Sequence, residues 1–237
     1  MRKAVIITGT SSGLGKEIFD LLTDLSPMLI ISLSRRFLDS QLDLAKSNKH
    51  IGLIKQDFDQ PEQLLQTKEI SQKLSAFNVE EIIFINNAGI VEPIGSIEEF
   101  EPDKIRKSID VNFTSPLYIT QMLYKESLKL KTKFSILNIS SKAATQTYDG
   151  WALYCATKAG AKMFYDVIDE QHKDNRNVEV TTIDPGVMDT QLQENIRQAE
   201  NVYFPNRGHF VNLKEEHRLP APEQVARDIL SKHVLDK

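Results

Sequence analysis

One cysteine, Cys155, in 237 residues leaves no partner for an internal disulfide, and such a chain suits a reducing compartment. Long apolar runs are missing as well: none approaches the roughly 20 residues that a membrane-spanning helix requires, so no membrane partner is expected. Ala4 to Ile7 is the whole apolar stretch before Thr8 and Gly9, too short for the core of a signal peptide, and a cytoplasmic location is expected. Charge of one sign is not in surplus either. The 29 Lys and Arg stand against 33 Asp and Glu, a net charge of −4, and the cations are scattered, which offers no electrostatic footprint for nucleic acid. No metal site is expected. Nothing marks an internal linker, so residues 1–237 read as a single domain, for which 41% hydrophobic content supplies an ample core.

What is present is alternation. Apolar runs near 4–8, 28–34, 51–55, 82–86, 134–140 and 178–183 predict strands, and helical periodicity predicts helices near 14–25, 61–76, 101–130 and 152–172. Strand and helix in turn predict an α/β fold, a Rossmann-type doubly wound parallel sheet with helices on both faces and right-handed crossovers. Pro116 lies inside the longest helical stretch, where it should kink the axis or begin a second segment. Residues 188–220 break the rhythm with Phe204, Pro205, Gly208 and Pro220, and are the natural place for a substrate lid.

The stretch KAVIITGTSSGLGKEIFDLL reads as strand, tight turn, helix. Gly9, Gly13 and Gly15 let the backbone turn sharply and approach a ligand, Thr10, Ser11 and Ser12 add hydroxyls, and Leu14 opens the helix whose N-terminus favours a pyrophosphate. The spacing Gly-x-x-x-Gly-x-Gly departs from the usual G-x-G-x-x-G fingerprint, but a strand before and a helix after support it. At the end of the second strand an acid would accept from a free ribose 2′-hydroxyl. Here Ser34 takes that place, and Arg35 and Arg36 follow, which points to a 2′-phosphate and hence NADP(H). KQDFD and NNAG end the next two strands and place Asp57, Asn87, Ala88 and Gly89 where a dinucleotide would lie; NNAG also makes a turn in its own right.

Tyr154 and Lys158 stand four residues apart in LYCATKAG, one helical turn on the same face, with Ser141 upstream in NISSKAA. A nearby ammonium favours the phenolate, so Tyr154 is expected to titrate below the usual phenol value. Ser141 would hydrogen-bond the reacting oxygen. Cys155 has no evident histidine partner and reads as a packing residue.

Taken together, TGTSSGLG, NNAG, Asn112 in DVNFTS, Ser141 with YCATK, and DPGVMDT at 184–190 resemble the short-chain dehydrogenase/reductase family over nearly the whole chain. GWALYCATKAG, DPGVMDTQLQENIR and LKEEHRL more narrowly resemble sepiapterin reductases and their bacterial relatives that reduce benzil and similar diketones. The resemblance implies an NADPH-dependent carbonyl reductase acting on a small-molecule ketone. Tyr154 would protonate the oxygen, Ser141 orient it, Lys158 bind the nicotinamide ribose, and Asn112 hold a water that resupplies the proton. It also implies that Asp57 contacts the adenine, Asn87 the ribose, and the loop of Pro185, Gly186, Val187 and Thr190 the carboxamide. Helices 101–130 and 152–172 resemble the family's association surface, which implies a homodimer or homotetramer.

Tyr148, Trp151 and Phe204 offer an aromatic wall for a flat dicarbonyl or a pterin, with burial of Trp151 between helix and sheet as the alternative. The chain stops at SKHVLDK, where relatives commonly continue into a glycine-led strand, so a seventh strand and a pterin-anchoring acid are not assigned. Two other functions share these motifs: a non-catalytic NADPH-sensing binding protein, and an NADP-dependent dehydrogenase of hydroxysteroids or sugar alcohols.

Overall fold

Six strands form the sheet, most of them largely apolar because both faces are covered, while the last, VEVTTI at one edge, is half polar and mostly half-buried. They are β1 (Lys3–Thr8), β2 (Leu29–Ser34), β3 (Ile51–Lys55), β4 (Glu81–Asn86), β5 (Lys133–Ile139) and β6 (Val178–Ile183) in a computed structural model that describes residues 2–25, 27–65, 68–175, 177–199 and 204–235. All pairings are parallel, in the order β3-β2-β1-β4-β5-β6. The chain winds outward from β1 in one direction and from β4 in the other, so a crevice opens beyond the carboxyl ends of these two neighbours.

The helices are α1 (Gly13–Asp24), α2 (Asp39–Ser47), α3 (Lys68–Phe77), α4 (Pro102–Ile109), α5 (Ser115–Leu130), α6 (Ala152–His172), α7 (Gln191–Gln198), α8 (Arg207–Glu215) and α9 (Pro222–Leu230). Strand side chains alternate between the two faces. Val5, Ile7, Ile83 and Ile85 pack with Ile18, Phe19 and Leu22 of α1 and Ile229 and Leu230 of α9. Ala4, Ile6, Ile82 and Phe84 pack with Leu74 of α3, Ile119 and Leu123 of α5 and Tyr165 of α6. Each large side chain so buried contributes about 1.5–3 kcal/mol, which holds the strand ends in place for the site above them.

Several expected elements take a different form. The helix expected over 61–76 is a 3-10 turn, Pro61–Leu65, followed by α3, and residues 66 and 67 between them lie outside the described residues. The long 101–130 stretch divides into α4, a π turn at Asp110–Thr114, and α5, with Pro116 in the first turn of α5, where its missing N–H breaks no bond. α2 was not anticipated, since its only buried residue is Gln41 and it carries no apolar stripe. The stretch 188–220 contains α7 and α8, and its residues 200–203 lie outside the described residues. Beyond β6 the described residues add helices but no strand; α9 and a π turn at Ser231–Leu235 close the α1 face, and Lys3 Nζ donates to the carbonyl of Val234 at 2.6 Å.

Candidate active site

The turn after β1 is possible only with glycine at its corners. Gly9 and Gly13 have φ of +74° and +57°, and a Cβ on Gly15 would stand 2.1 Å from the carbonyl oxygen of Gly9. Asn87, at the end of β4, donates from Nδ2 to the carbonyls of Thr8 at 2.9 Å and Gly9 at 3.1 Å, while the backbone N–H groups of Asn87 and Ala88 both donate to Thr8 Oγ1. NNAG and the glycine turn are thereby one unit. No side chain caps the N-terminus of α1, so its first-turn N–H groups can serve an anion.

Thr10 is fully buried and turns away from the crevice, contrary to the expected hydroxyl donor. Its N–H donates to Ser34 Oγ at 2.8 Å and its hydroxyl pairs with Ser32 Oγ at 2.6 Å. A turn residue just beyond β1, flanked by two small serines on β2, finds its partners inward, and the Ser34 hydroxyl is consumed in the same way. Gln41 of α2 completes the knot: Nε2 donates to the carbonyl of Thr10 at 2.8 Å and Oε1 accepts from the N–H of Leu38 at 3.1 Å. Arg35 and Arg36 follow Ser34 on the exposed rim, and among the described residues neither forms an ion pair, leaving both guanidinium groups available to a phosphate.

The other end of the crevice holds Ser141, Tyr154 and Lys158. Ser141 caps a short 3-10 turn, accepting from the N–H of Ala143 at 3.2 Å, and its hydroxyl lies beside the Tyr154 phenol, whose pKa it pulls downward. Lys158 Nζ lies 5.9 Å from the centre of the Tyr154 ring and donates to the carbonyl of Ile139 at 3.1 Å. The phenol is therefore not made more acidic: burial pushes Tyr154 up to about 12, against the pull of the Ser141 hydroxyl, and burial pulls Lys158 down to about 8. The expectation of a lowered phenol pKa is corrected on that ground.

Asn112 is buried in the π turn and does not line the crevice. Its Oδ1 accepts from the N–H of Ile90 at 2.9 Å, and its Nδ2 donates to the Ile90 carbonyl at 2.8 Å. A Cβ added to Gly89 would stand 3.3 Å from Asn112 Oδ1 and 3.6 Å from Lys158 Nζ, so the amide, the amine and this bare backbone are neighbours. The side chain fixes the segment after β4.

A cavity of about 650 Å³ joins the two ends. It brings together Gly9, Ser11, Ser12, Gly13, Leu14, Gly15, Ser34, Arg35, Arg36, Asp57, Asn87, Ala88, Gly89, Ser141, Tyr154, Lys158, Pro185, Gly186, Val187 and Thr190; of the expected catalytic and cofactor residues Thr10 and Asn112 stand outside its lining. Thr190 also caps α7, accepting from the N–H of Gln193 at 3.4 Å. Trp151 lines the cavity and stacks on Phe204, 5.1 Å between ring centres, and Phe210 at 5.4 Å. Phe204 is fully buried behind the tryptophan and does not itself face the cavity, whereas Phe210 does. Phe210, Ile196 and Gln193 were missed in the sequence; Leu192 and Ile196 at i and i+4 were the available sign of an inward-facing helix.

The short chain dehydrogenase family model matches residues 3–201. The chain belongs to the short-chain dehydrogenase family. This short-chain dehydrogenase is 37% identical over 229 residues to the benzil reductase ((S)-benzoin forming) of Bacillus cereus, covering 95% of this chain and 91% of that one. It is 27% identical over 199 residues to the sepiapterin reductase of Xenopus laevis, covering 80% and 74%. It superposes on the crystal structure of the KRED1-Pglu enzyme with a TM-score of 0.81 at 25% identity, covering 97% of this chain and 93% of that one. The narrower likeness in GWALYCATKAG and DPGVMDTQLQENIR is borne out by these relatives. Short-chain dehydrogenases are oxidoreductases that bind a nicotinamide cofactor, and the left-handed glycines, the uncapped α1 and the paired arginines suit a dinucleotide.

Proposed function

We propose that this protein is an NADPH-dependent carbonyl reductase whose substrate is a ketone, specifically a diketone such as benzil or a pterin side-chain dicarbonyl. The observation that carries the proposal is the gathering of Ser141, Tyr154 and Lys158 in the one cavity that Trp151, Arg35 and Arg36 also line. The benzil reductase and sepiapterin reductase relatives support the same substrate class. Arg35 and Arg36 would hold the 2′-phosphate, the turn from Gly9 to Gly15 the pyrophosphate, Asp57 the adenine, and Asn87 with Lys158 the riboses. Pro185, Gly186, Val187 and Thr190 would hold the carboxamide. When bound, this cofactor supplies the hydride.

The chain's own residues manage the proton. A phenol held near 12 stays neutral across the physiological range, so Tyr154 is a donor that keeps its proton until a carbonyl oxygen begins to gain charge. Ser141, beside that phenol on the same cavity wall, can hydrogen-bond the same oxygen. Lys158, near 8, exists in both protonation states and can pass a proton toward the phenol. Asn112, tied to Ile90, acts by fixing the backbone beside Lys158. The lid over the substrate is 188–220. Exposed Ile109, Tyr118, Met163 and Val167 on α4, α5 and α6 support association into a homodimer or homotetramer, and the lone Cys155 supports a cytoplasmic setting.

The test is a panel of diketones, pterins, quinones and aldehydes, scored separately with NADPH and NADH. Consumption of NADPH with a diketone, cut about 10²- to 10⁴-fold by Tyr154→Phe, is the expected result. Near-wild-type turnover in that variant removes the acid role. NADPH binding with no carbonyl consumed at any pH favours the sensor, and brisk alcohol oxidation with NADP⁺ favours the dehydrogenase.

A further inference from the structure

Three residues on the cavity wall keep a buried polar atom with no hydrogen-bond partner among the described residues: Ser140 Oγ, Trp151 Nε1 and Gln193 Nε2. A serine hydroxyl can rotate to suit its surroundings. Gln193 cannot adapt in that way. Arg197 donates from its guanidinium to Gln193 Oε1 at 2.8 Å, and since arginine has no acceptor, the orientation of the amide is decided. Arg197 is in turn held 3.8 Å from Asp189, and the Gln193 backbone is fixed by the Thr190 cap. The NH₂ end is what remains, on a side chain only 2% exposed.

The surroundings say what this donor can serve. Leu192, Ile196, Trp151 and Phe210 line the same cavity and offer no acceptor from their side chains. A buried amide N–H left unpaired is unfavourable, and a ligand that brings an acceptor removes that penalty. An apolar ligand with no oxygen there does not.

We propose that Gln193 is a specificity-determining residue that donates from Nε2 to the second oxygen of a vicinal dicarbonyl whose first oxygen is held by Ser141 and Tyr154. The inference rests on the carbonyl-reductase reading and adds which ketones are preferred. Ser141 and Tyr154 belong to the β5 and α6 side of the cavity, and Gln193 to the lid helix α7. In an extended vicinal dicarbonyl the two oxygens point to opposite sides, so different walls can serve both at once. The aromatic residues then hold the flanking rings.

Benzil and deoxybenzoin, the same diaryl skeleton with one carbonyl oxygen replaced by two hydrogens, separate this role from general binding. The protein with NADPH is compared with Gln193→Glu, which retains an acceptor for Arg197 and changes the free end from donor to acceptor. The expected result is that the ratio of kcat/KM for benzil over deoxybenzoin falls about 10- to 100-fold in the variant, because only benzil loses a bond to a buried donor. An unchanged ratio overturns the proposal, including the case in which both substrates decline together, since that is what a structural role through Arg197 gives. Gln193→Met serves the same comparison should Gln193→Glu not fold.

If the wild type reduces neither ketone, the carbonyl-reductase reading fails by itself, and binding then decides the role of Gln193. The chain has one tryptophan, Trp151, on the cavity wall, so quenching of its fluorescence reports benzil and deoxybenzoin affinity directly. Weaker benzil binding in the variant with deoxybenzoin less affected supports the donor; equal ratios overturn it.

Discussion

Lys158 stands over the ring of Tyr154: the amine lies 5.9 Å from the ring centre and donates to the carbonyl of Ile139 at the end of β5. Helical spacing brought the pair to one face, but the strand end captured the amine. Burial is then the first cause of both shifts, keeping the phenol protonated and making the amine a weaker base.

The lysine makes stability depend on pH in a defined direction. With a native pKa near 8 against 10.5 for a free lysine, the unfolded chain binds the extra proton between these values, so this group's penalty is full below pH 8 and fades as pH rises toward 10.5. Between pH 8 and 10 the protein should gain on the order of 2 kcal/mol from this source. Above pH 10 Tyr154 acts oppositely, because its native pKa is raised and the unfolded phenol ionises first. Urea unfolding across this range, compared with Lys158→Met, measures the effect; equal pH slopes in the two proteins would contradict it.

Gln41 should matter for cofactor binding although it does not line the cavity. Gln41→Leu leaves the buried Thr10 carbonyl unpaired and removes the acceptor of the Leu38 N–H, which water can reach, costing about 1–3 kcal/mol, and loosens the segment carrying Arg35 and Arg36. Chemical denaturation reads the first effect. Titration with 2′,5′-ADP reads the second, with affinity expected to fall more than for AMP.

Two glycines should respond in opposite ways to alanine. At Gly15 the new methyl would stand 2.1 Å from the Gly9 carbonyl and 2.3 Å from Asn87 Nδ2, so the turn must shift, with a loss of about 3 kcal/mol or more and of dinucleotide binding. At Gly208 in α8 a Cβ meets nothing within 4 Å, and alanine should stabilise by about 0.5–1 kcal/mol. Thermal melts of both variants, with dinucleotide titration of Gly15→Ala, check this.

Much of the architecture was legible because most of the doubly covered strands are largely apolar. Ile51 to Ile54 and Ile82 to Ile85 announced β3 and β4 within a residue or two, and Pro116 marked the start of α5. α2 was silent because a helix that buries one glutamine shows no periodic stripe. Local spacing could bring Tyr154 and Lys158 to one helix face, but the direction of the amine depended on Ile139, nineteen residues earlier in the chain. In the same way Thr10 looked like a free donor until Ser32 and Ser34, remote in sequence, took its hydrogen bonds. Phe204 was visible as an aromatic residue but not its place behind Trp151, which is set by the packing of the lid helices.

The all-parallel ladder sets a pace for assembly. No two neighbouring strands can close as a hairpin, since each pairing waits for an intervening helix to swing across. Partly assembled chains therefore present water-averse ribbons on both sides, and renaturation should be slow and its yield should fall as the protein is made more concentrated.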